Sequence, residues 1–156
     1  MTKQRSVDTK GYAFLSLLRT GDMLNRYLET KLTARHKRYD IGPSSFGLMN
    51  ALLSHNGQMT PTAISKWMFR SKHAITSLVR VAELRGIIRK EPNPLDRRSK
   101  YVWLTESGRR IANKVTPTVV ETTHNALSCL TDEELQALNN VLRRLRKHLY
   151  QQLDKG

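Results

Sequence analysis

Apolar side chains return every three or four residues along most of this chain, a period that predicts helices. A first helix over about Gly11 to Arg38 carries Phe14, Leu17, Leu18, Leu24, Tyr27, Leu28 and Leu32. Gly21 weakens it without ending it. Asp40-Ile41-Gly42-Pro43 breaks the pattern, and Ser44 or Ser45 caps a second helix bearing Phe46, Leu48, Met49, Leu52 and Leu53. His55-Asn56-Gly57 ends it. Thr60-Pro61 reads as an N-cap followed by proline at the first helical position, opening a short helix to about Phe69 with Ile64, Trp67 and Met68 as core candidates. Arg70-Ser71 makes a turn, Ser71 caps the next helix, and Ile75, Leu78, Val79 and Ala82 form its apolar stripe.

Past Gly86 the period changes. Ile87-Ile88 leads into a polar loop from Glu91 to Lys100, then the strand-like Tyr101-Val102-Trp103-Leu104. Thr105 caps a helix through Ile111, Ala112 and Val115 that continues to about Leu130, with Pro117 expected to kink or interrupt it. Thr131 to Glu134 is a capping box. The last helix repeats leucine at 135, 138, 142, 145, 149 and 153. Such a stripe at a chain end needs a partner surface, offered by the first helix or by a second copy. Two short helices across a turn, then strand, basic loop and strand, make the order of a winged helix-turn-helix. That module puts one helix in the DNA major groove and a hairpin against the backbone or minor groove. The fold expected is mainly α with a small β-hairpin wing. Residues 43–105 form the winged helix-turn-helix, and 1–42 with 106–156 form N- and C-terminal dimerisation helices.

Charge sharpens this. Twenty-seven Lys and Arg oppose thirteen Asp and Glu in 156 residues, a net +14. The 51 residues from Thr60 to Arg110 hold twelve basic and four acidic residues, +8, so the excess concentrates on the winged segment. A polyanionic partner is indicated. With Ile75, Leu78, Val79 and Ala82 facing the core, Ser71, Lys72, His73, Thr76, Ser77 and Arg80 face outward, and no acid lies between Ser71 and Ala82. A plain solvated face would mix acids with its bases. Lys72 and Arg80 suit guanine or phosphate; Thr76 and Ser77 suit a base edge or phosphate; the role of His73 depends on its protonation.

Three segments, Leu84-Arg85-Gly86-Ile87-Ile88-Arg89, Asp96-Arg97-Arg98-Ser99 and Leu104-Thr105-Glu106-Ser107-Gly108-Arg109, resemble the multiple-antibiotic-resistance regulator (MarR) family of bacterial winged-helix transcription factors. Ala82 and Leu84 depart from the family's usual residues, and Leu84 is expected to pack from a slightly rotated helix. The resemblance implies a homodimer whose terminal helices interlock, with two winged lobes on a pseudo-palindromic operator. It further implies release, in many members, by a small phenolic or other lipophilic ligand, a metal or an oxidant. It assigns Arg97 to the minor groove and Asp96 to supporting the wing through a nearby arginine. Arg98 and Lys100 would supply phosphate contacts. Phe14, Phe46, Met49 and Trp67 are candidate lining residues of an effector pocket.

The function expected is a DNA-binding transcriptional regulator, most often a repressor. The alternative is an architectural DNA-binding protein of little sequence preference. No paired nucleophile and base and no phosphate-cradling glycine loop point to an enzyme. The five histidines lack ligand spacing, so no metal or cofactor is indicated. Polar residues from Met1 to Lys10 and the absence of a long apolar run predict a cytoplasmic location away from membranes. The single cysteine, Cys129, is expected to be a buried, inert thiol.

Overall fold

The computed structural model describes residues 8–94 and 96–153, with the side chains of Arg97 and Arg98 outside the described set. Helix α1 spans Thr9–His36, followed by a 3₁₀ turn at Lys37–Tyr39. Then come α2 (Pro43–Leu53), β1 (Gln58–Met59), α3 (Pro61–Met68), α4 (Lys72–Leu84), β2 (Ile88–Asn93), β3 (Asp96–Leu104), α5 (Glu106–Leu127) and α6 (Asp132–Leu153). The chain divides into two compact units, one through Thr122 and one from Thr123. A mainly helical chain carrying a small antiparallel wing agrees with the sequence pattern.

Within the first unit, Leu32, Leu48, Met49, Leu52, Ile64, Ile75, Ile87, Ile88, Val102 and Val115 are sealed from solvent. Burying each such side chain contributes about 1.5–3 kcal/mol. The strands order β1-β3-β2, all antiparallel, with Ile88 opposite Leu104 and Met59 opposite Val102. Side chains alternate across the sheet, so these four face the helices while Arg89, Trp103 and Gln58 share the outer face. Arg35 of α1 pairs with Glu121 of α5, and the Arg35 guanidinium, by hydrogen bond and by charge, holds the Glu121 carboxyl below the usual carboxylate range.

Side chains fix the ends of the central helices. Thr60 Oγ1 accepts from the Ala63 N–H at 3.2 Å, and Ser71 Oγ accepts from the Ala74 N–H at 3.2 Å, both as their types and positions predict. Helix α4 ends in a Schellman motif. Gly86, at φ 67°, donates to the Glu83 carbonyl at 2.9 Å, and Ile87 donates to that of Ala82 at 2.9 Å. Thr105 Oγ1 then donates to the carbonyl of Gly86 (2.7 Å) or Ile87 (3.0 Å) and accepts from the Gly108 N–H (2.9 Å). The helix α5 N-terminus is thereby tied to the end of the turn that α4 opens. A Cβ on Gly108 would stand 2.2 Å from the Ile87 carbonyl oxygen, so this position has room for hydrogen only. The Leu-Thr-x-x-Gly spacing therefore has a steric cause.

Several local expectations are corrected. Gly42, not Ser44 or Ser45, is the N-cap of α2, and Pro43 occupies its first turn. Most of the polar loop from Glu91 to Lys100 is strand, because Glu91 pairs with Tyr101 and Pro92 with Lys100 across the hairpin. Helix α5 runs unbroken through Pro117. Buried Ala112, Val115, Thr118, Val119 and Thr122 hold the turns on both sides, so packing offsets the missing backbone donor. Leu84 is 79% exposed, against the expectation that it packs. Leu84→Gln should accordingly shift stability by no more than about 0.5 kcal/mol, read from the urea midpoint. A loss of 2 kcal/mol would mean that Leu84 is covered in solution.

Two apolar surfaces are left open. On α1 only Leu32 is buried, while Tyr12, Phe14, Leu15, Leu18 and Met23 are exposed. In the second unit the capping box forms as expected, with Thr131 N–H donating to Glu134 Oε2 at 2.9 Å and Glu134 N–H to Thr131 Oγ1 at 3.3 Å. Yet no residue of α6 is buried, and Leu138, Val141, Leu149 and Leu153 stand exposed. Cys129 is exposed too, against the expectation of burial, since it lies in the short turn between α5 and α6.

Candidate nucleic-acid interface

Helix α4 presents two faces of opposite character. Ile75, Val79 and Ala82 are buried, with Leu78 packed beside them. Ser71, Lys72, His73, Thr76, Ser77 and Arg80 are all exposed. The nearest acid along the helix, Glu83, receives Lys90 Nζ of β2 at 2.6 Å and is neutralised on the flank. The exposed face thus carries cations and hydroxyls with no carboxylate among them. Its hydroxyls are not equivalent. Thr76 Oγ1 donates to the Lys72 carbonyl at 2.9 Å, which commits its proton to the helix and leaves its methyl and an acceptor lone pair outward.

The preceding turn is set by Phe69 in a left-handed conformation, φ 52°, and by Ser65 Oγ donating to the Arg70 carbonyl at 2.6 Å. These local bonds fix the step from α3 into α4. The wing projects from the same unit. Lys100 is exposed on β3 opposite Pro92, and Asp96 pairs with Asn93 next to the hairpin tip. The backbones of Arg97 and Arg98 belong to β3, and their side chains lie outside the described residues.

Sequence reasoning missed Asn93. Its side chain is 7% exposed, and its Nδ2 donates to Ser99 Oγ at 2.9 Å, which in turn donates to the Asp96 carbonyl at 3.3 Å. This chain of bonds spans the irregularity where the register jumps between Pro92 and Asn93. It positions the residues flanking Arg97. Trp103 was passed over as well. Arg89 lies over its ring at 5.4 Å, and Arg89 also pairs with Glu91 at 2.7 Å, which stiffens the root of the wing.

The four candidate effector-pocket residues do not share one environment. Met49 is fully buried, Phe46 is half-buried against the core, and Phe14 stands 62% exposed on α1. Trp67 is exposed with its ring edge-on to His55, centroids 6.4 Å apart.

With this geometry in place, comparison with known proteins is decisive. Residues 39–99, which run from the end of the 3₁₀ turn before α2 into the first part of β3, match the sequence profile of the MarR family. The regulator HosA of Escherichia coli O111:H- is 26% identical over 122 residues, covering 77% of this chain and 90% of its own. Residues 39–99 thus carry the MarR-family pattern, and the relatives matched are transcriptional regulators. The chain is a DNA-binding transcriptional regulator of that class. Among solved structures, the MarR-family regulator AbsC of Streptomyces coelicolor superimposes with a TM-score of 0.82 at 23% identity, covering 94% of this chain and 98% of AbsC. A second MarR-family regulator of that organism, Sco3205, solved in complex with DNA, gives a TM-score of 0.82 at 20% identity, covering 92% of this chain and 93% of its own. At these identities the superpositions establish the MarR fold. No described helix is long and apolar enough to cross a membrane.

Proposed function

We propose that this MarR-family chain acts as a homodimeric repressor that reads a pseudo-palindromic operator with α4 and releases it on binding a small effector. The observation that carries the reading is the acid-free, fully exposed face of α4 backed by buried Ile75 and Val79. In this reading the N-terminal half of α4 enters the major groove, with Lys72 and Arg80 on guanine or phosphate. Arg97 enters the minor groove, where a narrow groove attracts arginine, and Arg98 and Lys100 neutralise phosphates. Asp96, with the Asn93–Ser99 bonds, supports the wing. The exposed apolar stripes of α1 and α6 supply the dimer contact, since exposed surfaces of this kind call for a partner. Of the effector-pocket candidates, exposed Phe14 and Trp67 are open to contact with a second copy, whereas Phe46 and Met49 would contribute from the core side.

Footprinting on the DNA upstream of its own gene tests the proposal. Two protected half-sites about 34 Å, one helical turn, apart are expected from a symmetric dimer. A single asymmetric footprint would contradict it. The Thr76 geometry adds a finer expectation. If its methyl meets a thymine methyl, replacing that thymine by uracil weakens binding several-fold, and the loss disappears in Thr76→Ser. Equal losses in both proteins would remove Thr76 from the readout.

A further inference from the structure

Away from the exposed face of α4, a cleft of about 510 Å³ opens where the turn after α1, the end of α4 and the start of α5 meet. Its walls bring Arg38, Arg85, Arg110 and Lys114 together against one carboxylate, that of Asp40, with Ile87 as an apolar wall. A neighbouring cavity of about 500 Å³ shares Arg38, Tyr39 and Lys114, and no acid lines it. The effector-pocket candidates named from sequence line neither.

This charge lies past the C-terminal end of α4, outside its acid-free exposed face. Arg85 follows the last residue of the 13-residue α4, which places it about 20 Å along the helix from Lys72. Cations gathered this closely repel one another, and among the described residues Asp40 is the one acid that lines the cleft. The Arg38 guanidinium donates to the Tyr39 hydroxyl and lies 4.5 Å from its ring centre. Burial pushes the Tyr39 phenol up, but hydrogen bonds and charge from Arg38 and Lys114 outweigh it and hold the phenol below its ordinary value. Arg38 and Lys114 thus both act on the phenol oxygen. Arg110 keeps only an exposed contact to Glu106 at 3.5 Å.

The remaining cation, Arg85, makes a clamp. Its Nη1 donates to the Asp40 carbonyl at 2.7 Å and its Nη2 to the Asp40 carboxylate. Asp40 sits in the left-handed region at φ 48°, a conformation costing about 1 kcal/mol that its surroundings must hold. The clamp joins the α1–α2 junction to the end of the recognition helix.

We infer that this cleft is an effector site for a small organic dianion, a phosphate monoester or a dicarboxylate, whose binding draws Arg85 from Asp40 and weakens the grip on DNA. The inference rests on the effector-responsive reading proposed above and names its ligand chemistry and its lever. Four cations against Asp40 and the Glu106 partner of Arg110 leave a surplus of two, which a monoanion does not match. An incoming dianion competes with Asp40 for the Arg85 fork, so the state with Arg85 on Asp40 and the state with Arg85 on ligand exclude each other. Reciprocity then requires operator DNA to weaken anion binding by the same factor, typically about 5- to 150-fold.

The test uses inorganic phosphate and succinate as separate probes, at constant ionic strength held with sodium chloride. Calorimetry without DNA comes first, followed by DNA affinity with and without saturating probe, on the upstream region and on random DNA. At least one probe is expected to bind saturably, with Lys114→Gln weakening it tenfold or more while leaving DNA affinity in chloride unchanged. The probe should weaken DNA binding by the wild type at least fivefold. Asp40→Asn should bind DNA more weakly without any probe and respond less to it. Binding by phosphate alone or succinate alone names the ligand source. Binding no better than chloride, binding untouched by Lys114→Gln, or saturation that leaves DNA affinity unchanged would each overturn the inference. Failure of the regulator reading shows separately, as wild-type protein in chloride that does not prefer its upstream region, and the calorimetry remains readable in that event.

Discussion

Reversing both cations of the α4 face, Lys72→Glu with Arg80→Glu, should lower operator affinity by at least about a thousandfold at 0.15 M salt. Each arginine or lysine contact is worth about 1–3 kcal/mol, and reversal adds repulsion from the phosphates to the lost attraction. Both residues are exposed and their helix is held by Ile75, Val79 and Ala82 on the opposite face, so the thermal midpoint should hardly move. Fluorescence anisotropy over a salt series measures the effect, and the salt slope should flatten as contacts are lost. Near-wild-type affinity in the double variant would mean that another surface holds the DNA. The same changes on α6, Arg143→Glu with Lys147→Glu, are the control, since they alter net charge equally without touching α4.

Gly108→Ala should cost about 3 kcal/mol of stability, a large share of the roughly 5–15 kcal/mol typical of a domain. The added methyl would lie 2.2 Å from the Ile87 carbonyl oxygen and 2.8 Å from Leu104 Cδ1. The Leu104 methyl can turn aside, but the carbonyl is pinned. It accepts from the Thr105 N–H at 3.0 Å and is one of two carbonyls within reach of the Thr105 hydroxyl, and moving it loosens the joint between α4, the wing and α5. DNA affinity should fall with it, because that joint aims α4 and β3. Urea denaturation reads the stability, and an unchanged midpoint would show that the α5 N-terminus has slack absent from this packing.

What could be read from sequence was what local chemistry decides. The Thr60 and Ser71 caps, the Thr131–Glu134 box and the stripe of α4 each depend on residues within a turn or two, and each formed as expected. The extent of the wing was not legible, because Glu91 and Pro92 become strand only by pairing with Tyr101 and Lys100 about ten residues on. The two-residue β1 has no period of its own and exists through Trp103 and Val102. Pro117 misled for a related reason: its propensity argues against helix, and buried neighbours on both sides override it. Leu84 and Cys129 were judged by their apolar character, which says nothing about whether anything covers them. The outward face of α4 was legible from periodicity and charge together. The Asn93–Ser99 bonds and the Asp40–Arg85 clamp were not, since no spacing rule links residues 40 and 85.

Competition at fixed salt decides whether α4 reads sequence or only phosphate charge. Labelled upstream DNA bound to the protein is titrated with unlabelled copies of itself and with random-sequence duplex of equal length at 0.15 M salt. The α4 face predicts a preference of at least about a thousandfold for the upstream site, the low end for specific DNA-binding proteins. Equal competition by the two duplexes would contradict the account and leave a protein that binds DNA through its charge alone.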